Sequence, residues 1–134
     1  MGVLTITIPG LPPRECSPNA RVHWIVKAQH AGRYRQIVKL VAKSALAEHR
    51  KAIIARSTWV MDCTNKPMRL DITFVVPDRR RRDKTNFASA FKAGLDGLVD
   101  AGIIKDDSYE CCDDQYHVVY EKGVSKTIVE VESA

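Results

Sequence analysis

Along this chain of 134 residues the apolar positions recur at two alternating intervals, one suited to strands and one to helices. Val3 to Ile8 reads Val-Leu-Thr-Ile-Thr-Ile, which sets Leu4, Ile6 and Ile8 on one face and Val3, Thr5 and Thr7 on the other, the period of a strand. Pro9-Gly10 and Pro12-Pro13 then interrupt it, because proline cannot donate to a ladder and glycine turns the chain readily. From about Tyr34 to Arg56, Ile37, Leu40, Val41, Ala45, Ile53 and Ile54 recur among lysines and arginines, which predicts one long amphipathic helix. Ser57 to Lys66 reads as a loop closed by Pro67, and Met68 to Val76 alternates as a second strand. Beyond it, Thr85 or Asn86 suits an N-cap, and Phe87, Phe91, Leu95, Leu98 and Val99 mark the buried stripe of a helix ending near Gly102. Ser89, Lys92 and Asp96 form a polar row on another face of it. Ser108 to Asp114 is an acidic turn. Gln115 to Glu121 and Lys126 to Glu132 alternate about a loop containing Gly123, which predicts a terminal hairpin.

The order β-α-β-α-β-β implies an α/β or α+β fold: a mixed sheet of about four strands flanked by two main helices, with residues 1–134 as a single domain. That length buries a core without disulfides. The four cysteines, Cys16, Cys63, Cys111 and Cys112, are too few and too irregular for a secreted scaffold, so reduced thiols are expected. Cys111, Cys112 and His117 make a poor zinc site, because adjacent cysteines lack the spacer a tetrahedral ion asks for. No apolar run reaches spanning length and no signal-peptide pattern opens the chain, so the expected location is intracellular with no membrane partner.

Charge narrows the picture. Twenty-one lysines and arginines against 16 acidic residues give a net charge of +5, which favours an acidic partner, nucleic acid first. The basic residues concentrate in Pro77-Asp78-Arg79-Arg80-Arg81-Arg82-Asp83-Lys84-Thr85-Asn86, where four arginines lie between two aspartates at the exit of a strand. Arginines take phosphate bidentately, whereas carboxylates repel it unless a divalent cation intervenes, so the mixture points to phosphodiester chemistry through a metal. Magnesium accepts hard oxygen ligands and keeps several waters, so a pair or trio of carboxylates suffices to hold it. Asp83 and the Asp106-Asp107 pair are the carboxylates that the intervening helix can return to one edge, with Lys92 able to donate charge to the phosphate. Ser17-Pro18-Asn19-Ala20-Arg21-Val22-His23-Trp24 reads two ways, as a segment that contacts phosphates and bases or as an ordinary loop with a half-buried tryptophan.

The run from Pro77 to Asp83, with Asn86, Lys92, Asp96-Gly97-Leu98, Ala101-Gly102 and Asp106-Asp107, resembles the signature of RusA-type Holliday junction resolvases, densely over about a quarter of the chain. Ser17-Pro18-Asn19 fits the early loop of that family. The resemblance implies a small homodimeric endodeoxyribonuclease of the bacterial or phage-infected cytoplasm, using magnesium or manganese, that cuts four-way DNA junctions in paired strands during recombination and repair. It implies Asp83, Lys92 and Asp107 as the catalytic residues, and Arg82 beside phosphate. The DNA contacts expected are Arg79, Arg80, Arg81, Arg82 and Lys84, with Asn19, Arg21 and His23 from the early loop. The chain departs from the family pattern Asp-x-Asp-Asn, reading Asp83-Lys84-Thr85-Asn86, with about three residues inserted before Lys92. The missing ligand falls to a neutral oxygen of Asn86, to Asp106 or to Asp96, with Asp106 ranked ahead of Asp96. Two other readings compete: a branched-DNA-binding protein of this fold with weakened catalysis, and a scaffold whose basic run binds an acidic protein.

Overall fold

The structure, a computed structural model, describes residues 3–52 and 67–132. Strands β1 (Val3–Pro9), β2 (Met68–Val76), β3 (Cys112–Tyr120) and β4 (Lys126–Glu132) form one mixed sheet in the order β1-β4-β2-β3. Helices α1 (Trp24–Ala52), α2 (Lys84–Ala90) and α3 (Lys92–Asp100) pack on it, and a single 3-10 turn, Arg14–Cys16, follows β1. The fold is therefore α+β.

Side-chain alternation decides which face of the sheet is covered. Leu4, Ile6 and Ile8 of β1, Leu70, Ile72 and Phe74 of β2, and Val129 and Val131 of β4 are buried in one cluster. Each such side chain contributes about 1.5–3 kcal/mol by leaving water. Their neighbours Thr5, Thr7, Arg69, Glu130 and Glu132 point the other way and stay exposed.

The terminal hairpin does not form. β4 runs antiparallel to both β1 and β2, with Val129 opposite Ile6 and Ile72, while β3 lies parallel to β2 on its far side. Neighbouring strands are about 4.8 Å apart, so the connection from Tyr120 to Lys126 has room to cross one strand end, and it is longer than the two-residue turn that closes a tight hairpin. The crossing is pinned to β2 by Glu121 N–H donating to Val76 O (3.0 Å) and Gly123 N–H to Pro77 O (3.0 Å). Gly123 takes φ +74 there, which glycine allows without a Cβ penalty. The acidic turn also ends early, since residues 112–114 already belong to β3.

The first helix begins at Trp24, about ten residues before the expected start. Its buried side chains are Tyr34, Val38, Ala42 and Leu46, with Ala31, Val41 and Ala45 partly covered, whereas Ile37 and Leu40 are exposed. Ile53, Ile54, Arg56 and the Ser57–Lys66 loop lie outside the described residues. The second helix is divided: α2 and α3 meet at Phe91, which serves as C-cap of one and N-cap of the other. Gly97 lets α3 close on α1, since a Cβ there would sit 2.6 Å from the Arg35 carbonyl oxygen and 3.0 Å from Val38 Cβ. Arg35 then clamps Asp100 bidentately, at 2.6 and 2.9 Å.

Candidate functional site

Val76 and Pro77 deliver the arginine run at the C-terminal end of β2, and Asp78 organises it. The Asp78 carboxylate accepts from Arg80 N–H (3.0 Å), Arg80 Nε (3.2 Å) and Arg82 Nη1 (2.7 Å). Arg82 Nη1 also donates to the carbonyls of Asp78 (3.0 Å) and Arg80 (3.3 Å), and its side chain is only 15% exposed. Arg82 thus holds the loop together from within. The Arg82 guanidinium, followed by the Arg80 N–H, holds the Asp78 carboxyl well below the usual carboxylate range. Arg79, Arg80 and Arg81 are exposed, with the Arg79 guanidinium 4.7 Å from the centroid of the Tyr120 ring.

Asp83 ends this loop as the N-cap of α2, in place of the expected Thr85 or Asn86. Its Oδ1 accepts from Thr85 N–H (3.3 Å) and Thr85 Oγ1 (2.8 Å). The cap comes first because Lys84 already has helical geometry and an aspartate accepts from the orphan donors of a first turn. Aromatic packing fixes the helix beneath it. Phe87 stacks on Phe74 (centroids 5.0 Å apart), and Phe91 meets Phe74 (5.9 Å) and Tyr34 (6.1 Å) edge to face. Arg14, Arg80, Arg82, Asp83 and Asn86 thereby border a hollow of about 430 Å³, walled on its other side by Leu11 to Pro13.

One helical step on, a second hollow of about 300 Å³ is lined by Cys16, Lys27, Ser89, Lys92 and Asp96, and the two hollows meet at Ala90. Here the chain brings distant residues together. Lys92 Nζ donates to Asp96 Oδ1 (2.9 Å) and also to Asp107 Oδ2, which arrives from beyond α3. The Asp107 N–H donates to Asp106 Oδ1 (2.9 Å), which steadies that turn. The Lys92 ammonium holds the Asp107 carboxyl below its ordinary value, and the bond to Asp107 raises Lys92 in return. At working pH both are charged.

Asp96 and Asp107 therefore share one cation. Two hard carboxylates able to share a cation suit magnesium, which is commonly held by one or two carboxylates together with waters. Asp96 and Asp107 fit it to that extent. Among the described residues, no three His, Cys, Asp or Glu side chains converge closely enough to hold a metal ion, so a trio of Asp83, Asp106 and Asp107 is not gathered. A zinc site is equally unsupported, since Cys112 faces the core and burial pushes its thiol up to about 12. His117 lies on the open side of the sheet, with Nε2 3.3 Å from Asp71 Oδ1.

Of the residues singled out from the sequence, Lys92, Asp96 and Asp107 come together, with Asp106 beside them. Asp83, Asn86, Arg80 and Arg82 border the adjoining hollow. Asn19 and Arg21 line a third, which shares Arg14 and Ser17 with the hollow of about 430 Å³. His23 and Lys84 are exposed at helix starts. The sequence reading missed the structural part of Asp78 and the contribution of Arg14, Cys16 and Lys27. The flanking Asp-x-Arg-x-Arg spacing was the available signal for Asp78. Nothing local marked the others, which reach the site through the 3-10 turn and the early start of α1. No family model matches this chain, and no curated protein matches it.

Proposed function

We propose that this chain is a magnesium-dependent, structure-selective endodeoxyribonuclease of the RusA kind, acting as a homodimer on four-way DNA junctions. The observation that carries the reading is the meeting of Lys92, Asp96 and Asp107 beside a hollow that adjoins, at Ala90, one bordered by Arg14, Arg80 and Arg82. Exposed guanidiniums of Arg79, Arg80 and Arg81, with Lys84, draw in and orient the phosphate backbone. Asp107 and Asp96 would hold the magnesium, with Asp106 adjacent and Asn86 and Asp83 across Ala90. When bound, the ion would supply a more acidic water and neutralise charge on the phosphate. Lys92 stabilises negative charge developing on the phosphate oxygens; as an ammonium it does not remove a proton.

A C2 dimer suits the task, since two equal sites face a substrate with its own approximate two-fold axis. The second reading is a branched-DNA-binding protein with weakened catalysis. The specific observation behind it is that Lys92 already occupies the cation position between Asp96 and Asp107, and that among the described residues no three carboxylates converge to hold a metal ion.

Cleavage of a synthetic four-way junction under magnesium and manganese titration separates the two. The nuclease reading expects paired cuts. It also expects Asp107→Asn and Asp83→Asn each to abolish cutting while junction binding persists, because asparagine keeps the cap at 83 and removes only the charge. Cutting by either variant at the parent's rate removes that aspartate from the site, and no cutting by the parent with either metal leaves the binding protein.

A further inference from the structure

The segment that leads into α1 ends in an aromatic pair turned to solvent. Trp24 is 72% exposed, where an ordinary loop would half-bury it. The His23 ring stacks on it with centroids 5.7 Å apart and planes inclined by 30°. His23 is itself fixed, since its Nδ1 accepts from the Ile25 N–H (3.2 Å), which assigns the neutral ring's proton to Nε2. The two rings therefore form a backed shelf at the first turn of the helix. Two residues upstream begins a hollow of about 460 Å³ lined by Arg14, Ser17, Asn19, Arg21 and Glu15, with Glu15 3.8 Å from His30 Nδ1. Its turn is held by Ala20 N–H to Ser17 O (3.0 Å) and Asn19 N–H to Ser17 Oγ (3.4 Å).

We infer that His23 and Trp24 are a stacking platform for an unpaired nucleobase of DNA, with Arg21 and Arg14 holding the phosphates of the same strand. The inference rests on the DNA reading above and adds that this end of the groove takes single-stranded nucleotides at a branch point. Three features favour that occupant. An exposed aromatic beside arginines matches a base with its phosphate, since every base offers a π face and every linkage a negative charge. In paired DNA the bases are already stacked, so the shelf discriminates against intact duplex. A protein partner would need a broad apolar face, yet Trp24, Ile25 and Val26 leave the helix about 100° apart, Val22 is the one large exposed apolar neighbour upstream among the described residues, and the next large ones on the helix, Ile37 and Leu40, lie about 20 Å along it.

The test uses the full chain with Trp59→Phe, so that Trp24 is the only tryptophan, and no divalent metal. Oligodeoxythymidylate, a junction carrying unpaired thymidines and a blunt duplex are titrated while Trp24 emission and affinity are read. Trp24 emission should be quenched by the first two and unchanged by the duplex. Trp24→Ala should weaken binding of the unpaired substrates about 10- to 100-fold with duplex affinity within about two-fold, and Trp24→Tyr should recover most of the loss. Unchanged affinity of Trp24→Ala for the unpaired substrates overturns the inference, as does equal quenching by duplex. A change of oligomeric state in Trp24→Ala, read by sedimentation, overturns it in favour of a second copy. Junction cutting with a negative Trp24 result sinks this inference alone. Single-strand binding through Trp24 without cutting leaves it standing and removes the nuclease.

Discussion

Asp78 and Asp83 flank the same four arginines and do different work. Asp78 neutralises and bends the run from inside, drawing Arg82 and Arg80 onto one carboxylate, so the free guanidiniums are fewer than the sequence suggests. Asp83 caps the helix that carries the rest of the site. This division sets a pH dependence. The folded value of Asp78 lies below the unfolded one, about 3.9, so its contribution to stability is complete above that value and lost as pH falls below it. Asp78→Asn is expected to lower the melting temperature at neutral pH and to flatten its decline between about pH 5 and pH 2. Melting curves whose pH dependence matches the parent's would show that the carboxylate is not engaged with Arg82. At this scale the sequence spoke clearly about Lys92 and Asp96, which are four residues apart on one helix, and about Asp107 only as a carboxylate that the intervening helix could return to the same edge. Asp78 looked like a flanking charge because its partners follow within four residues in a loop, where no helical or strand period guides the eye.

Elements were legible in proportion to how far their own pattern determines them. β1, β2 and β4 alternate cleanly and begin and end where expected, within a residue. The start of α1 is illegible because Trp24 to Arg33 puts exposed apolar and charged residues where a periodic stripe would be, and contacts with the 3-10 turn and β1 decide its geometry. Strand partners were illegible for another reason: alternation says which face a residue occupies but not which strand lies beside it. The division of the second helix was hidden too, since Phe87, Phe91, Leu95 and Leu98 keep one period across the break. Gly97 is the position on which the helical layer turns. Gly97→Ala adds helix propensity of about 1 kcal/mol yet drives a methyl group into the α1 backbone. We expect a net loss of about 1–3 kcal/mol in urea unfolding, with a slope like the parent's. A variant as stable as the parent would mean that α1 and α3 do not approach there.

Charge is sorted between the two sides of the molecule. The open side of the sheet carries Asp71, Asp113, Glu130 and Glu132 against Arg69, Lys126 and His117, whereas the arginine loop and the three hollows lie on the side of the helices and the early loop. DNA is therefore expected on the helical side only. Arg79→Glu with Arg81→Glu should reduce the slope of log affinity against log salt by about two, because each lost phosphate contact removes roughly 0.9. Glu130→Gln should leave that slope unchanged. Equal effects from both would place the nucleic acid elsewhere. Among the described residues no helix is long and apolar enough to cross a membrane.

The inserted position of β4 has a consequence for how the molecule is made. The strand that joins β1 to the remainder of the sheet is the fourth of the four in chain order, so β1 has no partner in the sheet until residues 126–132 have emerged. A chain released before Lys126 should therefore lack a cooperative melting transition by circular dichroism, while the same segment supplied as a separate peptide should restore one. During translation, the backbone edge of β1 must wait unpaired while residues 10–125 are added, and that interval is when the newborn chain is most exposed to aggregation.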